Sequence, residues 1–297
     1  YGLKPSYGLI PKSGHIPPPP GMLSHQNTLS VAGPIARSSK DIQIALSILA
    51  GASPLEKKGW KLDLPSTRHQ NIKDFRVAIW PNDPFCTVEN AIADAIEELA
   101  TQLGKLGASV HEDNPGVNLQ MNDDIYWNMS TPIIASGFPK STLDKMETLL
   151  QESDPNDTNP RVRQARGALL KQQSWLSYNE RRLRIQAMWE EFFTSFDVLI
   201  CPVTFSTAFA HNHEPDLFNR TITVDGIKRH YSEITAWPSV ATLPQLPSVV
   251  VPIGQNANGL PIGVQIIGPY LEDYTPIAFA QAIEGVCSGY NPPSIVQ

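Results

Sequence analysis

The sequence has few of the features that direct a protein to membranes or nucleic acids. No stretch approaches about 18 uninterrupted apolar residues, and the first residues lack the basic, apolar and small-residue order of a signal peptide. The formal net charge is -6 and no window is rich in lysine or arginine, so electrostatic attraction to phosphate groups or anionic lipids has no source. These absences predict a cytoplasmic protein with neither nucleic acid nor a membrane as partner.

Cysteine is scarce as well. Three cysteines occur in 297 residues, at Cys86, Cys201 and Cys287, and no two of them form a Cys-x-x-Cys pair. An odd number of distant cysteines in apolar or turn contexts is typical of reduced thiols rather than of a disulfide framework or a zinc site. We therefore expect three free, buried thiols.

The motifs of nucleotide cofactors and metal hydrolases are missing too. The sequence contains no Gly-x-Gly-x-x-Gly, Walker loop, Gly-x-Ser-x-Gly or His-Glu-x-x-His. The nearest approach to a metal site is His211-Asn212-His213-Glu214, for which no third ligand follows at a suitable spacing. We expect a polar loop there, isolated histidines at His25 and His230, and no metal or cofactor.

What is present is a mixed chain, 41% hydrophobic and 18% charged, which is long enough to bury a large core. Segments with strand periodicity alternate with helical ones, which predicts an α/β fold with a mixed central β-sheet flanked by helices, in a single domain of residues 1–297. The predicted strands are residues 75–80, 108–112, 197–201 and two within 247–268, joined by a hairpin turn at 256–259. The predicted helices are residues 42–49, 92–106, 161–196 and 273–286.

Several of these elements carry more detailed predictions. Ser38 precedes a largely buried helix and caps it, so the adjacent Ser-Ser-Lys at 38–40 is interpreted as a helix start rather than a catalytic set. We expect short helices and loops at residues 113–160, and an irregular arm over the first 37 residues. The apolar stripe of the second helix is predicted at Ile92, Ile96, Leu99, Leu103 and Leu106. The core face of the long third helix is predicted at Leu169, Leu176, Leu183, Ala187 and Phe192.

Four separated segments together resemble one known family. They are Gly2-Leu3-Lys4-Pro5-Ser6-Tyr7-Gly8, the run from Gly33-Pro34-Ile35-Ala36-Arg37-Ser38 through Asp41, Phe196-Asp197-Val198-Leu199-Ile200-Cys201-Pro202, and the stretch from Leu246 to Gly268. In order and spacing they are similar to the amidase signature family, and the resemblance runs nearly from end to end. The last segment is the most specific.

The resemblance implies hydrolysis of a carboxamide C–N bond to a carboxylate and ammonia or an amine. It implies a serine nucleophile, relayed through a second serine in a cis peptide to a lysine base, and no cofactor. All three side chains belong to a signature region that precedes the segment matched by Gly2, so no catalytic residue is carried over and this chain alone is predicted inactive. The implied partners are a small amide substrate and the N-terminal segment of the same amidase, with a homodimer left open.

The resemblance also suggests where this chain contacts substrate. It points to Phe205, after the third segment, and to Trp237, Leu243 and Gln245, before the fourth; Met22, His25, Trp127 and Phe138 are further candidates. Gln245 departs from the glycine that many members have before Leu-Pro, which alters the local pocket. Two alternatives stay open: a component similar to the A subunit of a tRNA-dependent amidotransferase, and a non-catalytic remnant or binding protein.

Overall fold

A six-stranded mixed sheet forms the centre of the structure, a computed structural model that describes residues 1–12, 29–287 and 289–292. Its strands are β1 Gly2–Lys4, β2 Arg76–Ile79, β3 Ser109–Glu112, β4 Val198–Pro202, β7 Ser248–Gln255 and β8 Pro261–Ile267, and a separate hairpin pairs β5 Thr221–Val224 with β6 Ile227–His230. The order in the sheet is β1-β7-β8-β4-β2-β3; β4, β2 and β3 are parallel neighbours and the other pairs are antiparallel. This confirms the predicted α/β fold with a mixed sheet.

Helices flank this sheet and form a second group beside it. They are α1 Ser39–Leu49, α2 Asn90–Lys105, α3 Leu119–Ala135, α4 Lys140–Glu152, α5 Pro160–Ala168, α6 Gln172–Ser195, α7 Ala236–Thr242 and α8 Tyr274–Ile283. Helices α2 and α8 pack on the sheet, α1 packs on α8, and α3 contacts α5, α6 and α7. Within the described ranges, no helix combines the length and hydrophobicity needed to cross a bilayer.

Residues 2–4 belong to the sheet, which corrects this part of the irregular arm predicted over the first 37 residues. Strand β1 pairs with β7, and Leu3 N–H donates to the carbonyl of Pro34 at 3.0 Å on its other side. The returning chain passes so close that a Cβ on Gly33 would lie 1.8 Å from the Leu3 carbonyl oxygen, which makes glycine necessary there. Composition alone does not reveal this pairing. Two of the further substrate-contact candidates, Met22 and His25, lie outside the described residues.

Helices α1 and α2 follow their predicted patterns with two exceptions. Ser38 caps α1 by accepting from the Asp41 N–H at 3.0 Å, as predicted. However, α1 buries only one narrow face, because Ile44 and Ile48 are exposed. In α2 the predicted stripe is buried from Ile92 to Leu103, but Leu106 lies beyond the helix end and is half exposed.

The region from 113 to 196 differs most from its prediction. Residues expected to form short helices and loops include two long helices, α3 and α4. The single helix expected at 161–196 is instead two, α5 and α6, interrupted at residues 169–171. The expected core residues Leu176 and Leu183 are 54% and 43% exposed, and Leu169 and Ala187 are also exposed.

The error has a geometric cause. At about 100° per residue, Ile185 lies on the opposite side of α6 from Leu176, nine positions earlier. The face that packs inward carries Ile185, Trp189, Phe192 and Phe193, together with Arg182. Of the predicted face, only Phe192 is buried, so leucine spacing alone selected the wrong side of the helix.

The start and the end of the described fold are joined by Ser6 and Asp273. The Asp273 carboxylate accepts from the Ser6 N–H at 2.8 Å and from its hydroxyl at 2.6 Å, and all these atoms are buried. Ser6 Oγ in turn accepts from the Leu271 N–H at 2.9 Å, which supports Leu271 in a left-handed conformation with φ of 63°. The segment after β1 and the turn before α8 are thereby fixed to each other.

A second buried carboxylate, Asp197, ties β4 to β2 and to the segment before it. Asp197 is fully buried and accepts from Arg76 at 2.7 Å and from Arg68 at 3.3 Å, with His69 at 3.4 Å. Burial raises the pKa of Asp197, but the hydrogen bonds and charges of Arg76 and Arg68 outweigh it and lower the pKa below its ordinary value. Arg68 also binds Glu272 at 2.6 Å, which extends the network to the start of α8.

The network predicts a large effect of Asp197→Asn. The substitution removes the negative charge opposite two guanidinium groups, so we expect the free energy of unfolding at pH 7 to fall by about 3–5 kcal/mol. Because the folded-state pKa is lowered, the contribution is present above the unfolded-state value of about 3.9 and is lost as the pH falls through the folded-state pKa. Denaturant unfolding of wild type and variant across this pH range measures it.

Asp74→Asn is the matched control, since Asp74 is exposed and loses the same charge. We expect it to change stability by less than about 0.5 kcal/mol. Equal effects of the two substitutions, or a difference that persists below the folded-state pKa, would contradict a stabilising role for the Asp197 network.

Candidate active-site cleft

A charged cleft opens beyond the carboxyl ends of the parallel strands β2 and β4, where open α/β sheets bind ligands. It consists of two adjoining cavities of about 200 and 280 Å³ that share Arg163, Ser232 and Glu233. The loop after β2, helices α3 and α5, and the turn before α7 supply its walls. The other lining residues are Phe85, Cys86, Asp123, Trp127, Thr158, Asn159, Pro160, His230 and Ala236.

One wall is built on an ion pair between α3 and α5. Arg163 donates to the buried Asp123 carboxylate at 2.7 Å, and its guanidinium lies 5.1 Å from the centre of the Trp127 ring. Burial raises the pKa of Asp123, and the charge and hydrogen bond of Arg163 act against that rise. Arg163 lines both cavities.

The opposite wall holds a second ion pair. Arg229 Nε donates to Glu233 Oε2 at 2.8 Å, and another of its nitrogens lies 3.4 Å from the Cys86 sulfur. Burial raises the pKa of the Cys86 thiol to about 11 despite this neighbour, so the thiol is protonated at neutral pH. Cys86 is thus a poor nucleophile here.

The arrangement is suited to binding a charged ligand. Guanidinium and carboxylate groups facing one small cavity can orient a ligand that carries complementary charges. In the described part of the chain, no group of three or more histidine, cysteine or acidic side chains is placed to hold a metal ion. His211 and His213 lie in an irregular segment, and all three cysteines are free, Cys287 being only partly buried.

A larger cavity of about 620 Å³ lies elsewhere, between α1, α8 and residues 66–70. Its polar lining consists mainly of neutral groups, and Gln281 donates across it to Gln43 at 2.8 Å. Volume alone does not mark a functional site. We consider the smaller cleft the better candidate because two ion pairs from three separate segments meet there.

The four predicted substrate-contact residues lie behind this cleft or away from it. Phe205 and Trp237 are fully buried; Arg229 covers the Phe205 ring at 4.4 Å, and Trp237 Nε1 donates to the Cys86 carbonyl at 2.9 Å. Leu243 is fully buried and Gln245 nearly so, both after the end of α7. None of the four lines the cavities described above, and their contact with substrate stays a prediction.

The sequence did not single out Asp123, Arg163 or Glu233. Of the further candidates, Trp127 lines the cleft, whereas the half-buried Phe138 does not. Asp123, Arg163 and Glu233 come from three distant segments without a short motif, and their charged side chains resemble ordinary surface residues in the sequence. Only the packing of α3 against α5 and α7 brings them together.

Comparison with known proteins gives this architecture a family. The Amidase family model matches residues 1–276. The A subunit of a glutamyl-tRNA(Gln) amidotransferase from Acaryochloris marina is 26% identical, over 95% of this chain and 59% of its own length. The chain therefore spans about three fifths of the length of that relative, whose name describes it as one subunit of an assembly.

Solved structures show the same fold. The A subunit of the glutamyl-tRNA(Gln) amidotransferase of Thermotoga maritima superposes with a TM-score of 0.71 at 20% identity, covering 98% of this chain and 58% of that one. A bacterial aryl acylamidase of the amidase signature family gives a TM-score of 0.65 at 19% identity, covering 95% and 57%. The chain belongs to the amidase signature family, as its sequence motifs predicted.

Gln245, where the family resemblance predicts glycine, has a backbone conformation that favours glycine. Gln245 has φ of 67°, a left-handed conformation that is unfavourable for a residue with a side chain and natural for glycine. The conformation is held by two backbone bonds, from Gln245 N–H to the Thr242 carbonyl and from Tyr7 N–H to the Gln245 carbonyl, both 3.1 Å. A glycine, the residue that the family resemblance predicts at this position, fits the same turn.

Because Gln245 has a positive φ, its replacement by glycine and by valine should affect stability differently. Gln245→Gly relieves the strain of the left-handed conformation, but glycine loses more conformational entropy on folding than glutamine does. The two effects oppose each other, so we expect the free energy of unfolding to change by less than about 1 kcal/mol. Gln245→Val places a β-branched residue at positive φ and should cost about 1–3 kcal/mol. Gln255→Val, at an exposed position in β7, is the control with ordinary strand geometry; denaturant unfolding that ranks Gly below Val would contradict the strain.

Proposed function

We propose that this chain forms part of an amidase that hydrolyses a carboxamide C–N bond to a carboxylate and ammonia or an amine. The observation that carries the proposal is the match of the Amidase family model to residues 1–276. The structure with its charged cleft at the strand ends is consistent with a role in holding the substrate.

In the proposed reaction, the catalytic side chains lie outside these 297 residues, and this chain supplies much of the sheet and the cleft. A serine nucleophile attacks the amide carbonyl, the nitrogen leaves with a proton, and water then releases the acyl group as a carboxylate. Backbone N–H groups near the nucleophile stabilise the oxyanion. We assign the nucleophile, the second serine and the lysine base to polypeptide outside these 297 residues, since the match spans only about 59% of a curated relative. This chain contributes much of the sheet and the cleft.

Labelling with a fluorophosphonate tests the reaction class. The reagent phosphonylates activated serines, so treatment of the native protein followed by peptide mapping should place the label on one serine outside these 297 residues, with parallel loss of amidase activity. Heat-denatured protein is the control and should remain unlabelled. Absence of label on an active amidase, or label on a serine of this chain, would refute the assignment; an unlabelled, inactive protein would favour the non-catalytic alternative.

A second candidate is a component similar to the A subunit of a tRNA-dependent amidotransferase. Two observations favour it: the curated relative has that function by name, and the cleft presents Arg163 with Asp123 and Glu233, which suits an amide that carries both an ammonium and a carboxylate. This alternative expects co-purification with partner subunits and hydrolysis of glutamine that small aryl amides do not replace. A simple amidase expects activity without partners.

Arg163→Gln tests whether the cleft binds the charged part of the substrate. We expect KM for glutamine to rise about tenfold or more, because a charge-assisted hydrogen bond is lost, while KM for the neutral butyramide changes little. Arg166→Gln, on the same helix and bonded to the Asp157 carbonyl, is the control. Equal changes in KM for the two amides would contradict the assignment. If the Arg163→Gln protein does not fold, the Arg163→Lys protein, which keeps a cation beside Asp123, replaces it in the test.

A further inference from the structure

Helix α6 buries a positive charge on its inward face. Arg182 is only 5% exposed, on the same side of the helix as Ile185 and Trp189. A guanidinium group keeps its charge at any physiological pH, and a buried charge is stable only when paired or well bonded. A group that balances the charge of Arg182 is therefore expected close to its guanidinium.

The described neighbours of this guanidinium are neutral. Arg182 Nε donates to Asn179 Oδ1 at 3.0 Å, and another of its nitrogens lies 3.4 Å from Gln186 Oε1. Burial lowers the pKa of Arg182, and the phenols of Tyr270 and Tyr7 are the groups that raise it. Among the described residues no aspartate or glutamate lies within ion-pair distance of Arg182.

The rest of this chain does not offer an acidic side chain either. The residues outside the description are 13–28, 288 and 293–297, and their sequence contains no aspartate and no glutamate. With no aspartate or glutamate within ion-pair distance among the described residues, the guanidinium of Arg182 is complementary to an acidic partner.

We propose that Arg182 forms an ion pair with an aspartate or glutamate in the part of its own polypeptide that lies outside these 297 residues. Curated relatives continue for about 40% of their length beyond the region matched here, so a covalently continuous partner is available in such proteins. The planar fork of arginine suits a charge-assisted contact with a carboxylate. This inference is independent of the reaction proposed above.

A zero-length cross-link tests the pair in the full-length protein. In the Arg182→Lys variant, a water-soluble carbodiimide activates the partner carboxylate, and the lysine amine then forms an amide bond with it while the carbodiimide leaves as a urea. Peptide mass spectrometry identifies the acidic residue joined to position 182. Arg184→Lys is the positive control, because Arg184 lies 3.7 Å from Glu180 on the exposed face of the same helix.

The expected result is a cross-link from position 182 to an aspartate or glutamate outside these 297 residues but on the same polypeptide. A cross-link to a described residue, to another protein, or none while the Arg184→Lys control reacts would overturn the proposal. Thermal unfolding is the second readout: Arg182→Gln should lower the midpoint by several degrees, and the exposed Arg184→Gln should leave it nearly unchanged. Equal midpoints for the two variants would also contradict the pair.

Discussion

The buried carboxylate of Asp197 is the constraint on which the central sheet depends. It stands immediately before β4, the strand that joins the parallel and antiparallel halves of the sheet. Through Arg76 it fixes the register of β2 beside β4, and through Arg68 and Glu272 it reaches the start of α8. A buried anion surrounded by two guanidinium groups tolerates little displacement, because each uncompensated charge costs several kcal/mol. The cleft lies at the other end of β2 and β4, so its geometry depends on this arrangement.

The sequence predicted the elements whose signals are local. The Ser38 cap, the stripe of α2 and the hairpin turn at residues 256–259 depend on neighbours a few residues apart, and each lies where it was predicted except for Leu106 at the end of the stripe. Strand β1 was missed because its pairing depends on contacts with residues 34–36 and with β7, which periodicity does not encode. The core face of the single helix predicted at 161–196 was wrong because Leu169, Leu176 and Leu183 recur every seven residues yet do not face the described core.

The cleft was harder to predict than the fold for a related reason. Asp123 and Arg163 are 40 positions apart and form their ion pair only because α3 packs against α5, whereas Arg229 and Glu233 pair locally, four positions apart. In a single sequence a buried ion pair and two surface charges look alike, since side-chain type does not report burial. The family resemblance pointed to Phe205 and Trp237, and the structure places both beneath the charged wall, where Phe205 contacts Arg229 and Trp237 bonds to Cys86.

Helix α6 combines two features that the described chain leaves unsatisfied. Its outward face shows Leu176 and Leu183 to solvent, and its inward face holds Arg182 without a carboxylate. Exposed leucines at helical spacing and a buried cation are each unfavourable alone, and natural sequences seldom keep both on one helix unless something covers them. If the ion pair proposed for Arg182 brings another segment against α6, apolar side chains on that segment have Leu183 within reach, because it adjoins Arg182 on the helix. A single packing contact would then account for the charge and for part of the leucine stripe.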